Sequence, residues 1–222
     1  MLDRLTEKDR GRVLARCEKV DLVFAEILDE PGEAMRYVFF PTSSFISQIA
    51  SVGERSLKIS LTGNEGLYGI PVALGTGISP VRAKVQGGGP ALRMGTAAFR
   101  RALASIPALR TCIDRYSFVV MNQLVQTTGC NRFHVIEQRL SRWLLMIGDR
   151  AHSPTFRITH VVLAAMLGVR REGVTGSAFA LQKRKLIEYR RGVVTIVDRK
   201  GLERASCSCY RLDLATYGRF FD

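Results

Sequence analysis

The chain of 222 residues contains no window of about 18 uninterrupted apolar residues, the least a membrane-spanning helix needs. Its first residues, MLDRLTEKDRGR, lack the apolar core of a secretory signal, so a soluble protein of the cytoplasm with no membrane partner is expected. Histidine is scarce: His134, His152 and His160 are the three, and residues 20–95 have none. That absence excludes a His-rich metal barrel in the N-terminal half. None of the three sits with a carboxylate and a nucleophile in a recognisable catalytic arrangement, so no enzyme is expected. Cysteine is odd in number and scattered, at Cys17, Cys112, Cys130, Cys207 and Cys209. Structural disulfides are therefore not expected. Cys207-Ser-Cys209 is tighter than the usual C-x-x-C zinc spacing and has no adjacent histidine, so it reads as incidental, and neither a metal nor a resident cofactor is anticipated. No P-loop occurs, and no GxGxxG opens a helix.

Basic charge is plentiful. The formal net charge is +13, and residues 135–222 hold 16 of the 33 Lys and Arg against 8 of the 20 acids. A basic C-terminal part suggests nucleic acid more than a membrane surface.

The most informative stretch runs from Ile158 to Val197. Thr159 can cap a helix to Leu167 whose inner face is Val162, Leu163, Met166 and Leu167. Gly168 supplies a turn, Val169 an apolar pin, and a second helix extends from about Arg170 to Lys183, with Val174, Ala178, Leu181 and Phe179 as candidates for its inner face. Arg170, Arg171, Glu172 and Thr175 crowd its outward N-terminal end, the end a recognition helix presents to a major groove. Arg can grip guanine O6 and N7, and Glu can accept from cytosine N4. IEYRRGVVTIV then reads as two strands around a turn at Arg191-Gly192, a wing whose Arg190 and Arg191 would meet phosphate. The candidate DNA-binding set is Thr159, Arg170, Arg171, Glu172, Thr175, Lys183, Arg190 and Arg191. His160 stands near the start of the first helix, as a phosphate contact or a merely exposed ring. A three-helix domain that docks protein is the bland alternative.

Before this module, residues 3–17 suggest a short amphipathic helix. VDLVFAEIL, YVFFP, SFISQIASV, SLKISLTG and PVRAKVQ are β-rich runs separated by glycine-containing turns, the texture of an antiparallel sandwich, barrel or roll. Gly87-Gly88-Gly89-Pro90 is expected to end this part. From Thr96 the period returns to that of helices. A short helix reaches Ser105, and a long one runs from Pro107 to about Thr128, with Leu109, Cys112, Ile113, Tyr116, Val119, Val120, Gln123, Leu124 and Thr127 in one stripe. The stripe must be buried, either on the chain's own sheet or on a twin. Ile113, Tyr116, Val120 and Leu124 are the candidate dimer seam. Gly129 to Asn131 would be a hinge, followed by a helix from about Phe133 to Arg150 anchored by Trp143.

A roll, a long helix and a winged helix-turn-helix in this order resemble the Crp/Fnr family of bacterial transcription regulators over nearly the whole chain. GVRREGVT and QKRKLIEYRRGVVTIVDRKGLE carry the resemblance in the C-terminal part, and PGE at Pro31–Glu33, YVFFP and GNEGLYG at Gly63–Gly69 carry it in the roll. The resemblance implies an α+β fold: a cyclic-nucleotide-binding-like β-roll over residues 1–106, a dimerisation helix and hinge over 107–131, and a winged helix-turn-helix over 132–222. It places the base-contacting Arg-Glu pair on Arg171 and Glu172 and a phosphate-binding hydroxyl on Thr159. It implies a homodimer on palindromic double-stranded DNA, with RNA polymerase as a further partner. Two departures matter. The family's cyclic-AMP pocket uses a Glu and an Arg-Ser pair, and here Ile70, Pro71, Gly77 and Ile78 stand at about those places. Cyclic AMP in the usual mode is therefore not expected, and the effector is unknown; Arg82 is a candidate substitute cation. Gly176 stands where better-known members carry a base-reading Arg, so a different DNA site is expected. An oxygen-sensing iron–sulfur cluster of the family's N-terminal kind lacks ligands, since only Cys17 is near that end.

Overall fold

The computed structural model describes residues 1–53 and 55–221. The chain forms two compact units, one of residues 1–50, 60–121 and 217–222, the other of residues 51–59 and 122–216. No helix among the described residues is long and apolar enough to cross a membrane.

The first unit opens with a 3-10 turn, Leu2–Arg4, and α1, Glu7–Leu14, whose start is fixed by Thr6 accepting from the Asp9 backbone N–H at 3.2 Å. The strands in this half of the chain are β1 (Glu18–Leu22), β2 (Ile27–Asp29), β3 (Tyr37–Pro41), β4 (Phe45–Val52), β5 (Arg55–Thr62), β6 (Arg82–Gly87) and β7 (Gly89–Gly95), with the one-turn α2 (Ile70–Ala73) before β6; residues 51–52 of β4 and 55–59 of β5 belong to the second unit. They form two sheets, β1-β7-β3 and β2-β6-β4-β5, in which the β1–β7, β3–β7, β2–β6 and β4–β6 pairings are antiparallel. In β6, alternation turns Ala83 and Val85 inward, and both are fully buried with Val38 and Ile46. Helix α3, Thr96–Ser105, packs on β3 and β7, and Phe99 meets Phe40 edge-on at 6.3 Å.

Gly87 to Pro90 does not end the strands. These residues form the junction between β6 and β7, and β7 is the central strand of its sheet. A Cβ on Gly87 would lie 2.1 Å from the Phe45 ring, and Gly89 has φ +137°, so both places demand glycine. Pro90 lacks an N–H, yet its carbonyl accepts from the Thr42 and Ser44 hydroxyls at 2.8 and 3.0 Å.

Helix α4, Pro107–Phe133, starts at its proline because that residue needs no intrahelical donor there. It runs straight through Gly129–Asn131, so the expected hinge is helical; the break comes at His134-Val135. A helical glycine costs only about 1 kcal/mol against alanine, which the helix tolerates while Thr127 and Cys130 beside it are buried. The expected seam is also corrected. Ile113 and Tyr116 are 0% and 2% exposed within the single chain, and Val120 is 8% exposed, so they face the protein's own core; Leu124 is half-buried. Tyr116 lies where a Cβ on Gly66 would stand, which pins it to the first unit. The apolar side chains that α4 leaves exposed are Phe118, Met121, Val125 and the terminal Phe133.

The second unit contains α5 (Ile136–Ala151), β8 (Thr155–Arg157), α6 (His160–Leu167), α7 (Arg171–Lys183), β9 (Ile187–Arg190), β10 (Val193–Ile196), α8 (Arg199–Ala205) and most of α9 (Cys209–Phe221). Trp143 on α5 is 2% exposed, as expected of the anchor, and α5 packs against α6, α7 and α8. Beneath it Arg142 forms a buried ion pair with Asp213, 2.6 Å between Nη2 and Oδ2, and also donates to Thr127 Oγ1 at 3.2 Å. The last residues of α9 return to the first unit, where Tyr217 donates to the Glu65 carbonyl at 2.7 Å.

Candidate nucleic-acid interface

Thr159 caps α6 as anticipated: its Oγ1 accepts from the Val162 backbone N–H at 3.2 Å. Gly168 closes that helix at φ +62°, a left-handed conformation that a side chain would strain. Arg170 is the residue before α7, and its side chain is not used as a cap. Val174, Ala178 and Leu181 are buried, which aims Arg171, Glu172, Thr175, Gly176, Phe179 and Lys183 outward. Phe179 departs from the inward placement considered for it, being 68% exposed; the inner row at this level is already filled by Ala178 and Leu181. Gly176 would admit a side chain, since an added Cβ would meet nothing within 4 Å.

The wing is a three-stranded sheet, β8-β10-β9, one strand more than anticipated. The sequence signal for β8 is only three residues long, TFR, and its partner β10 is 36 or more residues away. Arg191 and Gly192 both have positive φ, +48° and +78°, the geometry of a tight hairpin turn that matches strand twist. Arg191 accepts this conformation at a cost of roughly 1–2 kcal/mol relative to an ordinary backbone.

A small inner network ties helix to wing. His160 stacks on Tyr189, and Tyr189 donates to the Ile158 carbonyl at 2.7 Å. Thr175 Oγ1 lies 3.1 Å from the Arg171 carbonyl and 3.0 Å from His160 Nδ1. With the hydroxyl proton on the carbonyl, His160 is the tautomer that carries its proton on Nδ1. His160 is thus half-buried and engaged, neither a free surface ring nor one aimed at solvent, and burial, with the charge of Arg171, lowers its pKa. Thr175 is exposed, but its hydroxyl is already occupied.

The electrostatic pattern is selective. Arg170, Arg171, Lys183, Arg190 and Arg191 are exposed and have no carboxylate partner among the described residues. Arg184 on the same segment is paired with Glu137 at 2.7 Å, and Arg199 with Asp149 at 2.7 Å. These five cations, at the two ends of α7 and at one hairpin tip, form a surface suited to a polyanion.

In the first unit the cation expected to substitute at the phosphate is already engaged. Arg82 is held by Glu30 on the surface, Nε to Oε2 2.8 Å, so it does not stand in for a phosphate-binding cation. The Gly77 N–H is spent on the Pro71 carbonyl at 3.1 Å, and a Cβ on Gly77 would lie 2.6 Å from Arg100 Nη2. A cavity of about 530 Å³ elsewhere in this unit mixes Arg36 and Arg93 with Glu26, Asp29 and Glu33. Arg93 is already paired with Glu18 at 2.7 Å, which leaves that cavity no surplus of positive charge.

Residues 138–205 match the family of Crp-like helix-turn-helix domains. No curated protein matches the sequence. Solved structures match over most of the chain. FixK2 from Bradyrhizobium japonicum is 10% identical with a TM-score of 0.73, over 86% of this chain and 98% of that one. The c-di-GMP responsive global regulator CLP of Xanthomonas campestris is 15% identical with a TM-score of 0.69, over 86% and 99%. A transcriptional regulator of the CRP family from Thermus thermophilus is 17% identical with a TM-score of 0.69, over 84% and 96%. Strand-rich sheets, one long helix and a C-terminal helix-turn-helix, in that order, are the fold of the Crp/Fnr regulators. Over residues 138–205 the similarity is, more narrowly, to Crp-like helix-turn-helix domains.

Proposed function

We propose that the protein is a sequence-specific, DNA-binding transcription regulator that works in the cytoplasm as a homodimer on a palindromic site. The observation that carries this reading is the set of five unpaired cations, Arg170, Arg171, Lys183, Arg190 and Arg191, around the outward face of α7. Arg171 and Glu172 at the helix N-terminus are the base readers. Phe179 adds an apolar contact suited to a thymine methyl, and Gly176 leaves an uncontacted base between them. Arg190 and Arg191 grip phosphate and set register. Thr159 and Thr175 act through the helix cap and the His160 contact as much as through DNA.

Exposed Phe118, Met121 and Val125 recur at three- and four-residue steps along α4, the spacing of a helix-on-helix seam, and they replace Ile113, Tyr116 and Val120 as the dimer contact. A two-fold axis there would set two α7 helices about 34 Å apart, one turn of DNA. An effector acting on the first unit would alter this spacing through its differential affinity for two arrangements of α4, and RNA polymerase would be the partner that reads the outcome. Cyclic AMP held in the usual way is not the effector proposed, because Ile70, Pro71, Gly77 and Ile78 stand at about the places of the Glu and the Arg-Ser pair that hold it in the family.

Selection of bound duplexes from a random DNA pool, read by sequencing at moderate salt, tests the proposal. An inverted repeat with half-sites about one turn apart supports it. Weak binding without enrichment or salt dependence, with and without added cyclic nucleotides, would overturn it in favour of a winged domain that docks protein.

A further inference from the structure

Four side chains far apart in sequence converge in the second unit. Cys130 lies in the last turn of α4 and His134 one turn later at the α4–α5 break; Cys207 and Cys209 flank Ser208 at the α8–α9 junction. Their sulfurs and a ring nitrogen of the histidine all lie within 4.8 Å of one another. Cys130 Sγ is 3.6 Å from Cys207 Sγ, and Cys209 Sγ is 3.5 Å from His134 Nδ1. Zinc bonds of about 2.3 Å to sulfur and about 2.0–2.1 Å to nitrogen place tetrahedral ligands roughly 3.8 Å apart for S and S, and roughly 3.5 Å for S and N. The spacing therefore suits one ion. An iron–sulfur cube holds its ligands around a wider core.

A second observation points the same way. Arg139 and Arg142 are buried, and Arg139 Nε and Arg142 Nη1 have no hydrogen-bond partner. Arg139 donates to Asn131 Oδ1 and Arg142 to Thr127 Oγ1, one and three residues from Cys130 on α4, so both guanidiniums end beside the cluster. Buried cations need a nearby anion, and Asp213 supplies only one, to Arg142. Three thiolates around a divalent ion carry one net negative charge and answer the other. Gln126 Nε2 donates to Cys209 Sγ at 3.0 Å, the outer hydrogen bond that typically orients a ligand.

We propose that Cys130, His134, Cys207 and Cys209 form a closed, four-ligand site for a single thiophilic divalent cation of the zinc class. The site clamps the end of α4 to the α8–α9 junction. From beside it, Arg139 donates to Asn131 Oδ1 at 2.8 Å and to the Leu167 carbonyl at the end of α6, so the ion sits one side chain from the helix-turn-helix. The assignment rests on this cluster alone and does not depend on what α7 binds.

The test uses the full chain, purified under reducing conditions and measured for metals by plasma mass spectrometry. About one zinc per chain is expected, and exchange with cobalt should give the visible bands of a tetrahedral, thiolate-rich site. Stripped, reduced wild-type protein titrated with zinc against a chromophoric competitor should bind with a dissociation constant on the order of nanomolar or tighter. Cys207→Ser, with circular dichroism to confirm its fold, should lose at least about tenfold in that affinity. Binding no tighter than micromolar by the wild-type chain, an iron–sulfide chromophore, or a native Cys130–Cys207 disulfide would overturn the assignment.

Discussion

His160 and Tyr189 stack with ring centroids 4.4 Å apart and 25° between their planes, joining the first residue of α6 to the wing. Their pairing is the hinge on which several outcomes turn, because Thr175 on α7 reaches the same imidazole. The buried His160 Nε2 has no partner, so a proton there would be a buried charge close to Arg171.

The pH dependence follows from that. Burial, then Arg171, lowers the folded pKa of His160 below its ordinary 6.5, so in this range the unfolded chain binds more protons there. Its contribution to stability is complete above pH of about 6.5 and is lost as pH falls through the folded value. Melting temperature should decline more steeply from neutral pH to mildly acidic pH in the wild type than in His160→Gln. Parallel declines would remove His160 from the pH response.

Arg171→Ala should weaken binding to the selected duplex by about 1–3 kcal/mol and relax preference at one base pair of each half-site. Competition binding against a panel of single-base variants reads this directly. An unchanged preference would take Arg171 out of the reading set.

Arg191 separates strain from function. Asparagine tolerates the left-handed backbone better, so Arg191→Asn should leave stability unchanged or raise it by up to about 1 kcal/mol. The same change should weaken binding to all duplexes alike and reduce the slope of log affinity against log salt by roughly one. Loss confined to one sequence would argue against a phosphate contact.

Position along α4 distinguishes seam from core. Val125→Glu should give a folded monomer in sedimentation, because Val125 is 68% exposed in the single chain. Val120→Glu buries a charge and should lower the melting temperature before it changes association. A dimeric Val125→Glu protein would place the seam elsewhere.

Asp213→Asn leaves Arg142, 1% exposed, without its counter-charge. Removing one member of a buried pair typically costs about 3–5 kcal/mol. Denaturant unfolding should show a loss of that size, and a loss under about 1 kcal/mol would mean that the pair is not strongly coupled.

Local patterns explain why so much of the helix-turn-helix and its wing is visible in the sequence. Thr159, Gly168, the Val174–Ala178–Leu181 row and Arg191-Gly192 act through neighbours within a few residues, and capping, helical period and turn chemistry obey short-range rules. Long-range competition explains the departures. Phe179 faces outward because Ala178 and Leu181 already fill the inner row, and Ile113 and Tyr116 are claimed by the first unit before a second chain could use them. Gly129 stays helical because Thr127 and Cys130 on either side of it are buried. Sequence alone determined the succession of strand-rich part, long helix and helix-turn-helix, the basic face of α7 and the residues at the places of the cyclic-AMP ligands, because each depends on side-chain identity and local spacing. Tertiary structure decided which stripe of α4 stays exposed, the His160–Tyr189 contact and the convergence of Cys130, His134, Cys207 and Cys209. Those depend on which distant faces the chain packs together, and spacing along the sequence carries no measure of that distance.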